Sequence, residues 1–298
     1  MKYDLPEIKG EYRFNAPLAA STWFRVGGEA DVIFRPEDAD DLAHFIKNKP
    51  SNLNYITLGV CSNVIIRDGG YRGCIIKLGK NFTQIKAEDN KIIVRAGALD
   101  SNVARFAAEN NIAGMEFLIG VPGTIGGAIA MNAGAYGTEI KDILISAKAI
   151  DENGNIIELK NSNFGFTYRK NSLPGNLIFI EATLQGKKGN KEEILNSMKN
   201  ISDSREATQP VRTRTGGSTF KNPPGDKKAW QLIDEAGLRG HRKGGAMVSE
   251  KHCNFLINTD NATAKDIEDL GDEIIARVKQ NCGIQLEWEI KRIGEHSN

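Results

Sequence analysis

An excess of positive charge, long apolar runs and paired cysteines are all missing from this 298-residue sequence. Lysine and arginine number 39 and aspartate and glutamate 38, whereas proteins that bind nucleic acid usually show a marked basic excess. No stretch of about 18 uncharged apolar residues is present, so we expect no membrane insertion. The cysteines form no CxxC pair, which argues against a metal site or a disulfide framework; they are Cys61, Cys74, Cys253 and Cys282.

The beginning of the chain also lacks the apolar core of a signal peptide, because residues 1–11 include Lys2, Asp4, Glu7 and Lys9. Hydrophobic residues make up 40% and charged residues 26%, a composition typical of soluble globular proteins. The length is sufficient for about two domains. We therefore expect a cytoplasmic protein of enzyme size with no nucleic-acid partner. Nothing in the sequence requires an oligomer, and a monomer is compatible with it.

Short β-branched runs next to glycine or turn residues predict strands through the first two thirds of the chain. The Asn153-Gly154 pair between two apolar runs predicts a hairpin, and Asp89-Asn90 resembles a second turn. The predicted strands cover residues 54–60, 73–78, 91–96, 145–150 and 156–159.

Helices are predicted at residues 40–47, 101–110 and 191–207. A further helix begins after Thr263, which has Asp266 three residues on as in a capping box, and continues to about Gln280. Its apolar positions recur every three or four residues and predict one buried face: Ile267, Leu270, Ile274 and Val278. Ile284–Ile293 is predicted as a last strand. Hairpins mixed with separate helices indicate an α+β fold without the regular alternation of a doubly wound sheet.

Two glycine-rich loops are the most unusual segments. One is Gly120–Gly127, extended by Asn132–Gly137, and the other is Leu58–Asn63. Glycine allows close approach of the backbone to a ligand, and successive amides can hold phosphate oxygens, so the loops suit the diphosphate of a dinucleotide. Tight turns within a strand-rich domain are the alternative. The spacing matches neither a P-loop nor the Gly-x-Gly-x-x-Gly of a Rossmann fold.

Taken together, the motifs resemble the UDP-N-acetylenolpyruvoylglucosamine reductase family and follow its order over nearly the whole chain. The segments that carry the resemblance are Thr22–Gly28, Leu58–Asn63, Gly120–Gly137, Tyr168–Asn171, Gly216–Pro223, Phe255–Asn258 and Leu286–Ile290. The resemblance implies a vanillyl-alcohol-oxidase/PCMH-type FAD-binding fold with an additional α+β substrate-binding domain. It implies FAD-binding subdomains at 1–75, with a returning strand at 285–298, and at 76–190, and a substrate domain at 191–284. The chain is similar to the family's shorter type II form, which lacks an inserted loop with a substrate-capping tyrosine.

The cofactors that this resemblance implies are non-covalently bound FAD and NADPH as reductant. The residues expected to hold FAD are Gly59, Val60, Cys61, Ser62, Asn63, Gly120, Val121, Pro122, Gly123, Thr124, Gly126, Gly127 and Ala133. Val60 and Cys61 depart from the family, which usually has glycine there, so the contact with the diphosphate is expected to differ in detail. A cysteinyl-flavin bond at Cys61 is one interpretation, and a small buried packing residue is the favoured one.

The implied reaction reduces an enolpyruvyl double bond of a UDP-sugar in peptidoglycan-precursor synthesis. It needs a hydride, a proton and stabilisation of the charge that develops on the carboxylate. By resemblance Arg169 is the catalytic arginine, Ser218 the proton donor, and Glu289 the carboxylate acting with Arg169. Without the resemblance, a surface arginine, a turn-capping serine and a solvent-facing pair of Glu287 and Glu289 are the alternatives. Among apolar neighbours, Glu289 could have a raised pKa.

The substrate-binding residues suggested by the resemblance are Tyr168, Asn222 and the adjacent Lys221. Arg205, Arg212 and Arg214 are candidates for the nucleotide diphosphate, although runs of charge are usually solvated surface. His252 aligns near a position that contacts substrate or NADPH. Two alternative functions stay open: an FAD oxidase of the same fold that uses oxygen, and a non-catalytic nucleotide-binding module.

Overall fold

The computed structural model describes residues 3–297. The chain divides into two compact units. Unit 1 comprises the described residues up to Arg13 together with Val32–Gly59 and Gly73–Ser204, and unit 2 comprises Phe14–Asp31, Val60–Arg72 and the described residues from Arg205 onward. The division of the chain into FAD-binding and substrate-binding parts at residues 75 and 190 stays a prediction.

The helices are α1 (Ala39–Asn48), α2 (Asp100–Glu109), α3 (Ile125–Ala130), α4 (Ile140–Ile143), α5 (Lys191–Thr208), α6 (Ala229–Glu235) and α7 (Ala264–Cys282). Short 3-10 helices lie at Ala19–Ser21, Lys80–Phe82, Glu116–Gly120 and Asn161–Asn163. The strands are β1 (Glu11–Pro17), β2 (Glu29–Arg35), β3 (Tyr55–Thr57), β4 (Val64–Ile66), β5 (Tyr71–Ile76), β6 (Ile85–Glu88), β7 (Lys91–Arg95), β8 (Ile112–Ala113), β9 (Gly134–Ala135), β10 (Thr138–Glu139), β11 (Leu144–Ile150), β12 (Ile156–Lys160), β13 (Ile178–Gln185), β14 (Lys187–Lys188), β15 (Arg242–Lys243), β16 (Ala246–Val248), β17 (Leu256–Asn258) and β18 (Lys291–Ile293). The predicted helices and most predicted strands are confirmed to within a few residues.

The five-stranded sheet of unit 1 has the order β12-β11-β13-β7-β6, with antiparallel neighbours. The predicted hairpin is confirmed: Ile150 pairs with Ile156, and Gly154 has a φ of 79° in the turn. The second predicted turn joins β6 to β7, where Asp89 has a φ of 53°. This sheet and α2 and α3 share one core, in which Val94 and Val103 are fully buried.

A second core of unit 1 forms around α1. Phe34 and Phe45 pack with ring centroids 4.4 Å apart and are both fully buried. The side chain of Asp38 caps α1 by accepting the backbone N–H of Asp41 at 2.7 Å. A four-stranded sheet has the order β1-β2-β5-β3, with β3 and β5 parallel.

Helix α7 is the main element of unit 2. Its predicted capping box is present, since Thr263 and Asp266 each accept a hydrogen bond from the other's backbone N–H, and Gly283 ends the helix with a φ of 75°. All four residues of the predicted apolar face are fully buried. Burial of each of these aliphatic side chains stabilises the fold by about 1.5–3 kcal/mol, and all four belong to the core of unit 2. This face packs with α6 and the antiparallel sheet β15-β16-β17.

The prediction of a continuous strand over Ile284–Ile293 is wrong. Only β18 is regular, and it pairs in parallel with β4 in unit 2. The segment before it makes single contacts instead: the backbone N–H groups of Glu289 and Ile290 both donate to the carbonyl of Thr219. Two successive N–H groups that share one carbonyl acceptor do not fit the regular hydrogen-bond pattern between strands. This explains why the strand begins only at Lys291.

Within residues 3–297 no helix is long and apolar enough to cross a membrane. The same described range contains no group of three or more histidine, cysteine or acidic side chains able to hold a metal ion.

Candidate active site

The glycine loop Gly120–Gly127 is held in unit 1 by the segment that precedes α2. The N–H of Gly126 donates to the carbonyl of Ala96 at 2.8 Å, and that of Ile125 donates to Ala98 at 3.0 Å. The loop therefore has a defined backbone shape before any ligand is considered.

The two predicted phosphate-binding loops meet in unit 1. A Cβ added to Gly59 would lie 2.6 Å from Oγ1 of Thr124, and one added to Gly126 would lie 3.1 Å from Cβ of Ala96. These glycines are needed because protein atoms occupy the place of a side chain. Gly127 differs, since a Cβ there would meet only Thr124 Oγ1 at an ordinary 3.5 Å. The space beside Gly127 suits close approach of a ligand.

The rest of the first loop, Val60–Asn63, lies in unit 2. Cys61 is 5% exposed and has a φ of 54°, a left-handed conformation that favours glycine. Its carbonyl accepts the backbone N–H of Trp23 at 3.4 Å. This conformation gives a physical reason why glycine would suit the position where the chain has cysteine. Val60 and Ser62 are half-buried.

Ser218 and Glu289 are brought close in unit 2 by main-chain contacts. Ser218 forms a bridge with Phe255, and the next residue, Thr219, accepts the N–H of Glu289 at 2.8 Å. Asn63 of the first loop joins the same cluster, since its Nδ2 lies 3.4 Å from the Glu289 carbonyl that accepts its hydrogen bond. The structure thus groups two predicted catalytic residues with one predicted FAD-binding residue.

Glu287 and Glu289 have different surroundings, which the alternation of a strand would not produce. The Glu287 side chain is 72% exposed and forms an ion pair with Lys221 at 3.1 Å, whereas Glu289 is half-buried. Trp288 between them lies against α7 at Gly271, where a Cβ would be 2.2 Å from the indole ring. Its Nε1 donates to Asp272 at 3.1 Å. The contact of Trp288 with α7 therefore fixes the backbone path of the segment that carries Glu287 and Glu289.

Arg169 occupies a tight turn in unit 1. Thr167 and Lys170 exchange both backbone hydrogen bonds, leaving Tyr168 and Arg169 as the two central residues. Arg169 has a φ of 56°, the positive value that the second central residue of a type II turn requires and that glycine usually supplies. Its guanidinium donates to the carbonyl of Gly134 at 3.0 Å and lies 5.2 Å from the centre of the Tyr168 ring. Arg169 therefore holds a backbone conformation that glycine adopts more easily.

Asn132 is a residue of this site that the sequence analysis did not single out. It is fully buried, and its Nδ2 donates to the Thr167 carbonyl and to Oε2 of Glu139, both at 3.0 Å. Its Oδ1 accepts the N–H of Lys141 at 3.0 Å. Asn132 therefore joins the end of the second glycine segment, next to Ala133, to the turn that carries Arg169. Its position at the start of the glycine-rich segment Asn132–Gly137 was the sequence feature that could have indicated it as a site residue.

The predicted substrate-binding residues Asn222 and Arg214 both make contacts that a purely structural role would explain. Oδ1 of Asn222 accepts the N–H of Ala229 at the first residue of α6, at 3.1 Å. Arg214 is exposed, and its guanidinium donates to the carbonyl of Asp260 at 2.9 Å. Tyr168 is 46% exposed, and its ring contacts the Arg169 guanidinium.

Arg212 and Arg205 are held by local partners. Arg212 forms an ion pair with Glu206 at 2.6 Å, with both side chains more than half exposed, and Nε of Arg205 donates to Gln209 at 3.3 Å. The exposed Arg212–Glu206 pair contributes little to stability, so Arg212 can exchange its partner at small cost.

His252 is half-buried beside Phe255, with ring centres 4.8 Å apart in an edge arrangement. Its Nδ1 lies 3.2 Å from the backbone N–H of Asn254 and accepts that hydrogen bond. Burial is the main cause that lowers the pKa of His252 below its ordinary value. The ring is therefore neutral near pH 7, with the proton on Nε2.

Family profiles match two parts of the chain. One described as "FAD binding domain" matches residues 30–160, which include Gly59–Asn63 and Gly120–Gly127. One described as "UDP-N-acetylenolpyruvoylglucosamine reductase, C-terminal domain" matches residues 209–293, which include Ser218 and Glu289.

Full-length comparisons give the same result. The UDP-N-acetylenolpyruvoylglucosamine reductase of Parvibaculum lavamentivorans is 56% identical over 290 residues, which cover 97% of this chain and 93% of that protein. The reductase of the same name from Rickettsia conorii is 53% identical over 292 residues, covering 98% and 99%. The crystal structure of UDP-N-acetylenolpyruvylglucosamine reductase from Thermus caldophilus is similar with a TM-score of 0.82 at 34% identity, covering 97% of this chain and all of that one.

Proposed function

Since the chain belongs to the UDP-N-acetylenolpyruvoylglucosamine reductase family, we propose that it reduces UDP-N-acetylglucosamine enolpyruvate to UDP-N-acetylmuramate with NADPH, through FAD. The observation that carries this function is identity above 50% over nearly the whole length of the chain and its relatives. The predicted vanillyl-alcohol-oxidase type of FAD-binding fold is confirmed with it. The reaction is a step of peptidoglycan-precursor synthesis.

The glycine loops fit FAD, because the backbone beside Gly127 is open and the loop around it has a fixed shape. We propose that Gly120–Gly127, Ala133 and Gly59–Asn63 hold its diphosphate, with amide groups and the polar side chains of Ser62 and Asn63 as donors. When bound, FAD accepts a hydride from NADPH and supplies it to the substrate double bond. We propose that FAD is bound non-covalently and that Cys61 is a small buried packing residue.

Arg169 is proposed to stabilise the negative charge that moves onto the substrate carboxylate. A guanidinium can form two parallel hydrogen bonds to a carboxylate and stays protonated throughout the reaction. The tight turn and the contact with Gly134 fix the direction of the side chain in advance, so little reorganisation is needed when charge develops.

Ser218 is proposed to donate a proton to the substrate carbon that does not receive the hydride. Because a serine hydroxyl is a weak acid, the carbon must be strongly basic and the hydroxyl accurately placed. The bridge to Phe255 on one side and the Thr219–Glu289 hydrogen bond on the other fix the backbone at Ser218.

Glu289 is proposed to act on the substrate carboxyl group as well. Its half-buried position distinguishes it from Glu287, which is exposed and paired with a lysine. Tyr168, Lys221, Asn222, Arg214 and His252 are proposed as contacts of the UDP-sugar. Of these, His252 supplies a neutral Nε2–H donor beside Phe255. A monomer in the cytoplasm, where UDP-sugars and NADPH occur, completes the proposal.

The test is a visible spectrum of the purified protein followed by two anaerobic additions. NADPH should bleach the flavin bands, and UDP-N-acetylglucosamine enolpyruvate should restore them. A bleached flavin that only oxygen reoxidises would indicate an oxidase and reject the proposed acceptor. A protein that stays colourless after addition of FAD would reject the enzyme altogether.

A further inference from the structure

Asp100 is a buried acidic residue that no part of the proposed mechanism uses. It is the first residue of α2 and is 0% exposed. Within the described residues neither of its carboxyl oxygens makes a hydrogen bond of ordinary geometry, although the backbone N–H of Gly123 is near enough to favour the ionised form. Buried polar atoms without a partner are rare and costly, so a functional explanation is needed.

Asp100 contacts the glycine loop in two ways. Its backbone N–H donates to the carbonyl of Gly123 at 3.1 Å. Its Oδ2 lies so close to the same residue that a Cβ on Gly123 would be 2.8 Å from it. The carboxyl group therefore occupies the space that a side chain at residue 123 would need.

The residues next to Asp100 and Gly123 also contact the other glycine loop, Leu58–Asn63. Leu99, the residue before Asp100, forms a bridge with Thr124, and Thr124 is the residue that meets Gly59. A shift of Gly123 would therefore be transmitted to both phosphate-binding loops within unit 1.

Burial raises the pKa of Asp100 well above its usual range, and the nearby Gly123 backbone opposes this only in part. The raised pKa favours the protonated, uncharged form of this side chain. A negative charge at this place would repel a diphosphate bound on the loop, and the low-dielectric interior would screen that repulsion poorly.

We propose that Asp100 is a positioning residue for FAD: its carboxyl group fills the space beside Gly123 and holds Gly120–Gly127 in the shape that receives the diphosphate. The inference rests on the proposed function, because it takes FAD as the ligand of this loop. The carboxyl group acts through the loop backbone and does not touch the cofactor.

The first experiment measures the dissociation constant for FAD of the apoprotein by quenching of flavin fluorescence. Asp100→Ala should weaken FAD binding by about tenfold or more, and Asp100→Asn, which keeps the shape without charge, should bind like the unchanged protein. Asp40→Ala, which removes an exposed aspartate from the first turn of α1, is the matched control and should leave FAD affinity unchanged. Equal affinity of Asp100→Ala and the unchanged protein would overturn the inference, and so would an equal loss in Asp100→Asn.

Gly123→Ala keeps the inference testable if circular dichroism and the melting temperature show that the Asp100→Ala apoprotein is poorly folded, and where both single variants fold they complete a double-mutant cycle. Gly123→Ala forces a methyl group against Oδ2 and should weaken FAD binding. Adding Asp100→Ala removes that oxygen, so the double variant should bind FAD more tightly than Gly123→Ala alone. Strict additivity of the two effects would contradict the inference. If the unchanged protein itself does not bind FAD, the proposed function fails instead.

Discussion

The backbone N–H of Glu289 donates to the carbonyl of Thr219 at 2.8 Å, directly after Ser218 in the chain. This hydrogen bond brings Ser218 and Glu289, which are 71 positions apart in sequence, into one main-chain cluster of unit 2. The same hydrogen bond therefore fixes the backbone at both of the proposed catalytic residues. Main-chain contacts of this kind hold catalytic side chains without using the side chains themselves.

Ser218→Ala should separate the two half-reactions. Bleaching of the flavin bands by NADPH should keep its rate, because the hydroxyl takes no part in that step. Reoxidation by the enolpyruvyl substrate should slow by about 10²- to 10⁴-fold, the usual contribution of a proton donor. Anaerobic stopped-flow absorbance measures both rates, with Thr215→Ser, a small change at a buried site that keeps a hydroxyl, as the control. Equal slowing of both half-reactions would show that Ser218 is not the proton donor.

Arg169→Gly and Arg169→Ala should both lose the reaction with substrate but differ in stability. Glycine adopts a φ of 56° without strain, whereas alanine keeps the Cβ that disfavours it. The glycine variant should therefore be more stable than the alanine variant by about 1 kcal/mol in free energy of unfolding. Urea denaturation measures the difference. The opposite order of stability would mean that the turn is not strained at this residue.

Gly59→Ala should weaken FAD binding, because the new methyl group would lie 2.6 Å from the Thr124 hydroxyl, so that the Thr124 side chain or one of the two loops must move. A loss of about tenfold in affinity, or ~1.4 kcal/mol, is expected. Gly175→Ala is the matched control, since a Cβ there meets no atom within 4 Å. Fluorescence titration with FAD compares the two, and similar affinities in both variants would show that contact of the loops does not matter for binding.

His252 should make the protein less stable as the pH falls. Its pKa is lowered in the folded state, so the unfolded chain binds the proton more readily. The stability associated with the neutral ring is present above the ordinary histidine pKa and is lost as the pH falls toward the lowered value. His252→Gln should lose less free energy of unfolding than the unchanged protein between about pH 7.5 and pH 5.5. Parallel pH profiles in urea denaturation would contradict the shift.

Local sequence signals predicted the regular elements well. Helix α7 is the clearest case, because the apolar period, the capping pair Thr263 and Asp266, and the terminal Gly283 are all contained in one short segment. The prediction of a last strand over Ile284–Ile293 was wrong because the backbone hydrogen bonds of this segment go to Thr219 and Asn63, which are distant in sequence. The same distance hid the difference between Glu287 and Glu289, since strand alternation would have placed both in solvent.

The sequence by itself determined which residue types are present for chemistry: two glycine loops, an arginine in Tyr168–Asn171, and the ordered motifs of a known family. These are properties of short segments, and they can be identified without knowing what packs against them. Only the tertiary structure decided that Gly59 meets Thr124, that Arg169 is held at positive φ, and that Asp100 is buried against Gly123. Burial and close packing depend on atoms far apart in the chain, and no local pattern specifies them.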